Sequence, residues 1–240
     1  LFDAKLRSEL FYKVKGHSTI ARLTGQSPIP FNGTKEFTFS MDKDVDIVAE
    51  NGAKGKGGAT LVPVTIVPIK IEYGARVSDE FMNASEEEAL DILEAWMDCF
   101  AKKAAVGLDK MSFHGVNPRT GEASLVIGDN SFDTNDDVNE VEYDSTAVEA
   151  NLEDAVAAIG EYDVTGFAFS KIFATALSQV KENGVSQYPQ FKLGGNPGNL
   201  NGSACDVNST VSNNGDDRAI VGDFQNAFKW GIAKEISLEV

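Results

Sequence analysis

Cations are scarce in this sequence: 21 Lys and Arg stand against 37 Asp and Glu in 240 residues, a formal charge of −16. Proteins that read nucleic acid hold phosphates with clustered Lys and Arg, so specific nucleic-acid binding is not expected. Cysteine is nearly absent. Cys99 and Cys205 lie far apart and form no C-x-x-C pair, which excludes a disulfide scaffold and a zinc ribbon and makes a reducing compartment the default. Histidine is as rare, and His17 and His114 have no H-x-x-x-H partner; the ligand count for zinc or non-haem iron is lacking, and no metal or other cofactor is expected. Long apolar runs are missing too. Residues 61–69, broken by Pro63, Thr65 and Pro68, fall far short of the roughly 18–20 residues that span a bilayer, so no membrane segment is expected. The chain opens on Leu1 with no apolar signal core behind it, which predicts a processed or trimmed chain without a secretion signal. The sequons at Asn32, Asn83, Asn201 and Asn208 then read as coincidences of an Asn-rich sequence.

What is present is the composition of a folded protein, with 42% apolar and 24% charged residues. That is enough for one large domain or two modest ones. Within the first 22 residues Lys5, Arg7, Lys13, Lys15 and Arg22 outnumber Asp3 and Glu9 by five to two, a local +3 on an acidic chain. An N-terminal arm over 1–35 that lies on another surface is expected. From residue 36 the period becomes two: Phe37, Phe39 and Met41 share a face, and Val45 and Ile47 continue the alternation. A second apolar run covers 61–71, with the Gly- and Lys-rich segment 51–58 between the two. This predicts a β-hairpin over 36–73 with a mobile tip carrying Lys54 and Lys56. Pro63 and Pro68 cannot donate ladder hydrogen bonds, so the returning strand is expected to be an edge strand or bulged. Phe37, Phe39, Val45, Ile47, Val64 and Ile66 offer more apolar surface than two strands can bury, so the hairpin must dock on something.

Ser85 and Glu88 are spaced as a capping box, and Ala89, Leu93, Trp96, Met97, Phe100 and Ala104 recur at helical spacing up to Gly107. About 22 residues make a rod of about 33 Å, with Cys99 expected to pack inside it. A loop-rich stretch to 139 follows. Then come a helix near 146–159, a strand at 164–169, and a helix near 170–182 stopped by Asn183-Gly184. Residues 193–215 read as loop, and three strand-like runs, 218–224, 228–232 and 235–240, close the chain.

Catalytic patterns are wanting. There is no G-x-S-x-G elbow, and Gly57 is followed by Gly58 where a phosphate loop needs Lys and then Ser or Thr. The run 129–144 holds seven carboxylates and no cation. Read as a calcium loop from Asp133, it places Val138 where Gly is needed and Asp144 where a bidentate Glu is needed, so a solvated acidic loop is expected.

The order of parts, carried by FTFSMDKDVDIVAENGAKGKGGATLVPVTIVPIKIEYGARVSDEFM (37–82), the helix to Gly115 and RAIVGDFQNAFKWGIAKEISLEV (218–240), resembles the major capsid proteins of tailed bacteriophages, with the Hong Kong 97 phage capsid fold. The resemblance covers roughly residues 18–240. It implies an α+β fold with a long β-hairpin extended loop (36–73), a peripheral domain with its spine helix and following loop (74–143), and a mixed α/β axial domain (144–240). It further implies an icosahedral shell subunit of a phage or prophage virion, without catalytic activity, built into pentamers and hexamers in the bacterial cytoplasm. Its partners are copies of itself, with scaffold, maturation protease, portal and decoration proteins as further partners of the family. The extended loop, with Phe37, Phe39, Val45, Ile47, Lys54, Lys56, Val64 and Ile66, would lie over a neighbouring subunit. Family members often lose an N-terminal scaffolding segment, which suits a start at Leu1. They also continue past a segment like 235–240 into a peripheral part that is expected to be missing here. Because cross-linking members join a loop Lys to an Asn of that part, its absence tells against cross-linking by Lys54 or Lys56. An acidic subunit repels phosphate and so suits a container that releases DNA. An encapsulin-type compartment shares the fold implied, and an acidic two-domain hydrolase is the reading from another class.

Overall fold

Gly166–Phe169 forms a strand (β3) in which every residue is buried, a Gly-Phe-Ala-Phe run with no polar side chain. The computed structural model describes residues 13–14, 16–53, 55–66, 68–74, 86–215, 217–226 and 228–233. Among them β3 is flanked by Ser203–Val207 (β7), which runs parallel to it, and Ala219–Gly222 (β8), which runs antiparallel. Asn199–Leu200 (β6) adds to the far side of β7, giving the order β6-β7-β3-β8. Side chains of a strand alternate between faces, and β3 obeys this. Phe167 and Phe169 pack with Val148 and Leu152 of the helix Val148–Ala158 (α3) and with Phe173 and Leu177 of the helix Lys171–Gln179 (α4). Ala168 faces the other cluster, Ile20, Leu23, Phe113, Val211 and Phe224. A sheet covered on both faces needs apolar residues at consecutive positions, which is why β3 shows no alternation in its sequence. Gly166 is required here, since a Cβ would come within 2.8 Å of the Phe224 ring.

Ser170 caps α4 by accepting from the Phe173 N–H at 3.2 Å. The helix stops at Gln179, three residues before the expected end. Asn183 and Gly184, both at positive φ, instead make the turn between the two-residue strands Lys181–Glu182 (β4) and Val185–Ser186 (β5). Residues 193–215, expected to be loop, contain β6 and β7. Of the three closing runs, 218–224 contains β8, Trp230 forms only an isolated bridge to Gln26, and 235–240 lies outside the described residues.

The helix Glu86–His114 (α2) has 29 residues, about 44 Å of rod. Gly107 does not end it; a Gly inside a helix costs only about 1 kcal/mol, and this one lies beside Pro118. The stop is Gly115, at φ +62°, whose N–H bonds the Met111 carbonyl at 3.1 Å. Met97, Ala101 and Ala105 are buried, whereas Cys99 is exposed and does not pack as expected. Ser85, the start of the expected capping box, lies outside the described residues.

Part of the expected arm is core. The short helix Thr19–Leu23 (α1), capped by Ser18, carries the buried Ile20 and Ala21. Two carboxylates hold it. Asp109 of α2 accepts from Ser18 Oγ (2.6 Å), the Thr19 and Ile20 N–H groups (3.0 and 3.1 Å) and Thr210 Oγ1 (2.7 Å). Burial pushes the Asp109 carboxyl above its ordinary value, against the opposing pull of those hydrogen bonds. Asp206 of β7 accepts from Thr19 Oγ1 and Arg22 Nη1, each at 2.6 Å. Lys13 pairs with Asp98 of α2 at 2.5 Å. The described end of the arm thus lies on its own chain, while Lys5, Arg7 and Lys15 lie outside the described residues.

Candidate interaction surface

Residues 28–72 belong to a second compact unit of the chain, built on one hairpin. Thr34–Met41 (β1) pairs antiparallel with Ala59–Ile66 (β2), from Thr34↔Ile66 to Met41↔Ala59 without interruption. Just past the last pair the Asp42 N–H donates to the Gly58 carbonyl at 3.2 Å. Counting back by the antiparallel alternation makes 40↔60, 38↔62 and 36↔64 the hydrogen-bonded pairs and leaves Phe37↔Pro63 a non-bonded one. Pro63 therefore loses no ladder bond and causes no bulge.

Directly opposed residues share a face, so the register sorts the expected contact residues. Phe37, Phe39 and Met41 stand with Leu61 and Pro63, and Val64 and Ile66, opposite Glu36 and Thr34, stand with Val62 on the reverse. The expected contact residues Phe37, Phe39, Val64 and Ile66 are thus divided between two faces. Both are open: Phe37 is 61% exposed, Phe39 59%, Leu61 56% and Val62 50%, while Ile66 is half-buried. Met41, Leu61 and Val62 belong to the surface and were not among the expected residues; pairing Phe39 with Leu61 needs the register, which the sequence does not print.

Val45 and Ile47 are not part of the ladder. The strands have eight residues each, and both side chains, 98% exposed, lie in the connection 42–58. Asp42 ends the alternation by turning its carboxylate onto the Gly58 N–H at 2.5 Å. Lys43 Nζ donates to the Lys56 carbonyl at 3.2 Å across the same connection. The glycines of the tip serve this packing: a Cβ on Gly58 would lie 2.9 Å from Asp42 Oδ2, and one on Gly55 would lie 2.8 Å from Asp46 Oδ2. Lys56 is exposed, and Lys54 lies outside the described residues.

The acidic run is not wholly solvated. Asp133 turns inward to His114 Nδ1 at 2.5 Å, and Asp217 stands 3.5 Å from the same nitrogen. Asp144 is exposed and accepts from the Thr146 N–H and Oγ1, which hold its carboxyl below its ordinary value. A shallow depression beside the sheet is lined by Thr165, Asn199, Ser203 and Gln225, with no His, Cys or carboxylate in its wall. Among the described residues no helix is long and apolar enough to cross a membrane.

No family model matches the chain, and no curated protein matches it. Solved structures do. One from Mycobacterium phage Ogopogo superposes with a TM-score of 0.72 at 25% identity, over 92% of this chain and 77% of that one. One from Gordonia phage Cozz gives 0.65 at 19%, over 92% and 72%, and one from Mycobacterium phage Bobi 0.61 at 16%, over 92% and 73%. The mixed α/β fold is one that phage proteins carry.

Proposed function

We propose that this chain is the major capsid protein of a tailed phage or prophage, a subunit that assembles with copies of itself through pentamers and hexamers into an icosahedral shell around DNA. The observation that carries the reading is the fold likeness to phage proteins over 92% of the chain. The hairpin adds to it. Two strands with apolar side chains on both faces are marginal in water, and lying over a neighbouring subunit would bury Phe37, Phe39 and Leu61 at about 1.5–3 kcal/mol each. Repeated at every subunit, such contacts suit a shell. The charge of −16 keeps enclosed DNA off the wall, and the role asks for no catalytic group and no cofactor. Scaffold, maturation protease, portal and decoration proteins are the further partners of that role, and the virion its location. Negative-stain microscopy of the protein produced with the other head proteins of its phage tests the reading. Closed shells, or rings of five and six, are expected; a protein that stays monomeric there overturns it. Nuclease digestion of purified shells, followed by analysis of what remains inside, separates a DNA container from a compartment for protein cargo.

A further inference from the structure

The ring of His114, at the end of α2, is 1% exposed, and both its nitrogens are engaged. Nε2 lies 2.8 Å from the Thr210 carbonyl, which can only accept, so Nε2 carries a proton. Nδ1 faces Asp133 Oδ2 at 2.5 Å and Asp217 Oδ2 at 3.5 Å. A bare lone pair on Nδ1 facing two carboxylates would leave three acceptors converging on one point, so a proton or a cation must stand between them. A divalent ion and a proton are the two candidates, since all three ligand-capable atoms lie within 4.8 Å of one another. The distance in this structure fits the proton. Bonds of about 2.1 Å to a tetrahedral zinc keep a ligand nitrogen and oxygen about 3.4 Å apart. The Nδ1 to Asp133 contact at 2.5 Å is far shorter and belongs with charge-assisted hydrogen bonds, typically about 2.7–2.9 Å.

We infer that His114 is protonated on both nitrogens in the folded chain and acts as a charge-dependent latch tying the end of α2 to the turn 131–134 and to Thr210 and Asp217. The latch has something to hold. Beside it the Phe132 and Asp133 N–H groups donate to the Ser112 and Phe113 carbonyls at 3.0 and 2.9 Å. Phe132 in turn packs on Phe113, Phe224 and Phe228 with ring centroids 5.6, 5.8 and 5.3 Å away, so release of the turn would uncover an aromatic cluster. Among the described residues, the charged groups facing the ring are Asp133 from the turn and Asp217 from the segment before β8. The 209–211 turn presents only the Thr210 carbonyl, and Asp109 of α2 reaches that turn through Thr210 Oγ1. Burial lowers the affinity of the ring for its second proton, but the hydrogen bonds to Asp133 and Thr210 and the charges of Asp133 and Asp217 outweigh it and raise the pKa above its ordinary 6.5. A raised value means that the latch is fully present below 6.5 and is lost as pH rises through the folded-state value.

The test is NMR of the full chain labelled with ¹⁵N-histidine and carrying His17→Gln, so that one imidazole reports. His114 is expected to show two protonated nitrogens at neutral pH and to titrate above 6.5. Asp133→Asn is expected to lower the midpoint more than Asp217→Asn, following the two distances. Hydrogen exchange supplies the second readout: as the ring loses its proton, the Phe132 and Asp133 amides lose protection beyond ordinary base catalysis, while the Leu177 amide of α4 does not. Titration at or below 6.5, or protection of those two amides that ignores the ring, overturns the inference. So does displacement of the Nδ1 proton by micromolar zinc. Should Asp133→Asn fail to fold, Asp217→Asn and the titration of the otherwise native chain still decide.

Discussion

At the scale of single residues, Asp109 shows how much a buried carboxylate can organise. It answers two hydroxyls and two backbone N–H groups from two segments distant in sequence, and hydrogen bonds to a charged group are worth about 1.5–3 kcal/mol each. Asp109→Ala leaves those donors buried without an acceptor and is expected to lower the stability of the protein by at least about 3 kcal/mol, read from urea unfolding at constant m-value. Phe39 is the opposite case. At 59% exposure Phe39→Ser is expected to change unfolding of the isolated chain by no more than about 0.5 kcal/mol, yet to weaken shell formation in the co-expression experiment. A large loss of stability in the isolated chain would show that Phe39 serves its own unit instead. The grip of Asp109 is not legible in the sequence, whereas the period of two already marks Phe39 as a residue expected to meet a neighbouring subunit. Asp133 reads as one carboxylate of a solvated run because its partner, His114, lies 19 residues back and is brought near only by the fold. Cys99 reads as core because helical spacing fixes which residues share a face but not how wide the buried stripe is.

Among elements, those whose residues obey one local rule were readable. The period of two in 36–41 became β1, and Ser170 before an apolar 3.6 period became the start of α4. β7 was not, for a physical reason: Asp206 and Ser203 make its sequence look like loop, and Asp206 is polar because it grips α1. The end of β1 was misread in the same way. Apolar alternation runs on through Val45 and Ile47, but the ladder stops where Asp42 binds back to Gly58. That connection is separable from the ladder. Replacing 43–57 by a two-residue Asn-Gly turn joins the strands with a favoured hairpin link and removes side chains that bury little. Thermal unfolding of the chain is expected to shift by less than about 2 °C, under about 1 kcal/mol at this size, while shells no longer form with the other head proteins. Normal shells from the shortened protein would remove the connection from the assembly surface.

For the whole molecule the acidic charge was legible from composition, and it makes a prediction of its own. Binding to duplex DNA at about 0.15 M salt is expected to be weaker than about 10⁻⁴ M, the weak end of non-specific association, because the net charge is −16 and the described cations of the basic arm, Lys13 and Arg22, are paired with Asp98 and Asp206. A mobility shift at micromolar protein in that salt would contradict the container role. The two grips on α1 also set a schedule. Thr19 leaves the ribosome well ahead of Asp206, whose oxygen receives its hydroxyl and which comes 187 residues later. At about 5–20 residues per second the segment waits about 10–40 s for its seat to be synthesised. For most of that interval Ile20 and Leu23 have no β3 to cover them, and until its end no β7. Closure of this side of the core is therefore a late event in the life of each new chain, and half-made chains present the apolar face of α1 to whatever cellular machinery attends translation.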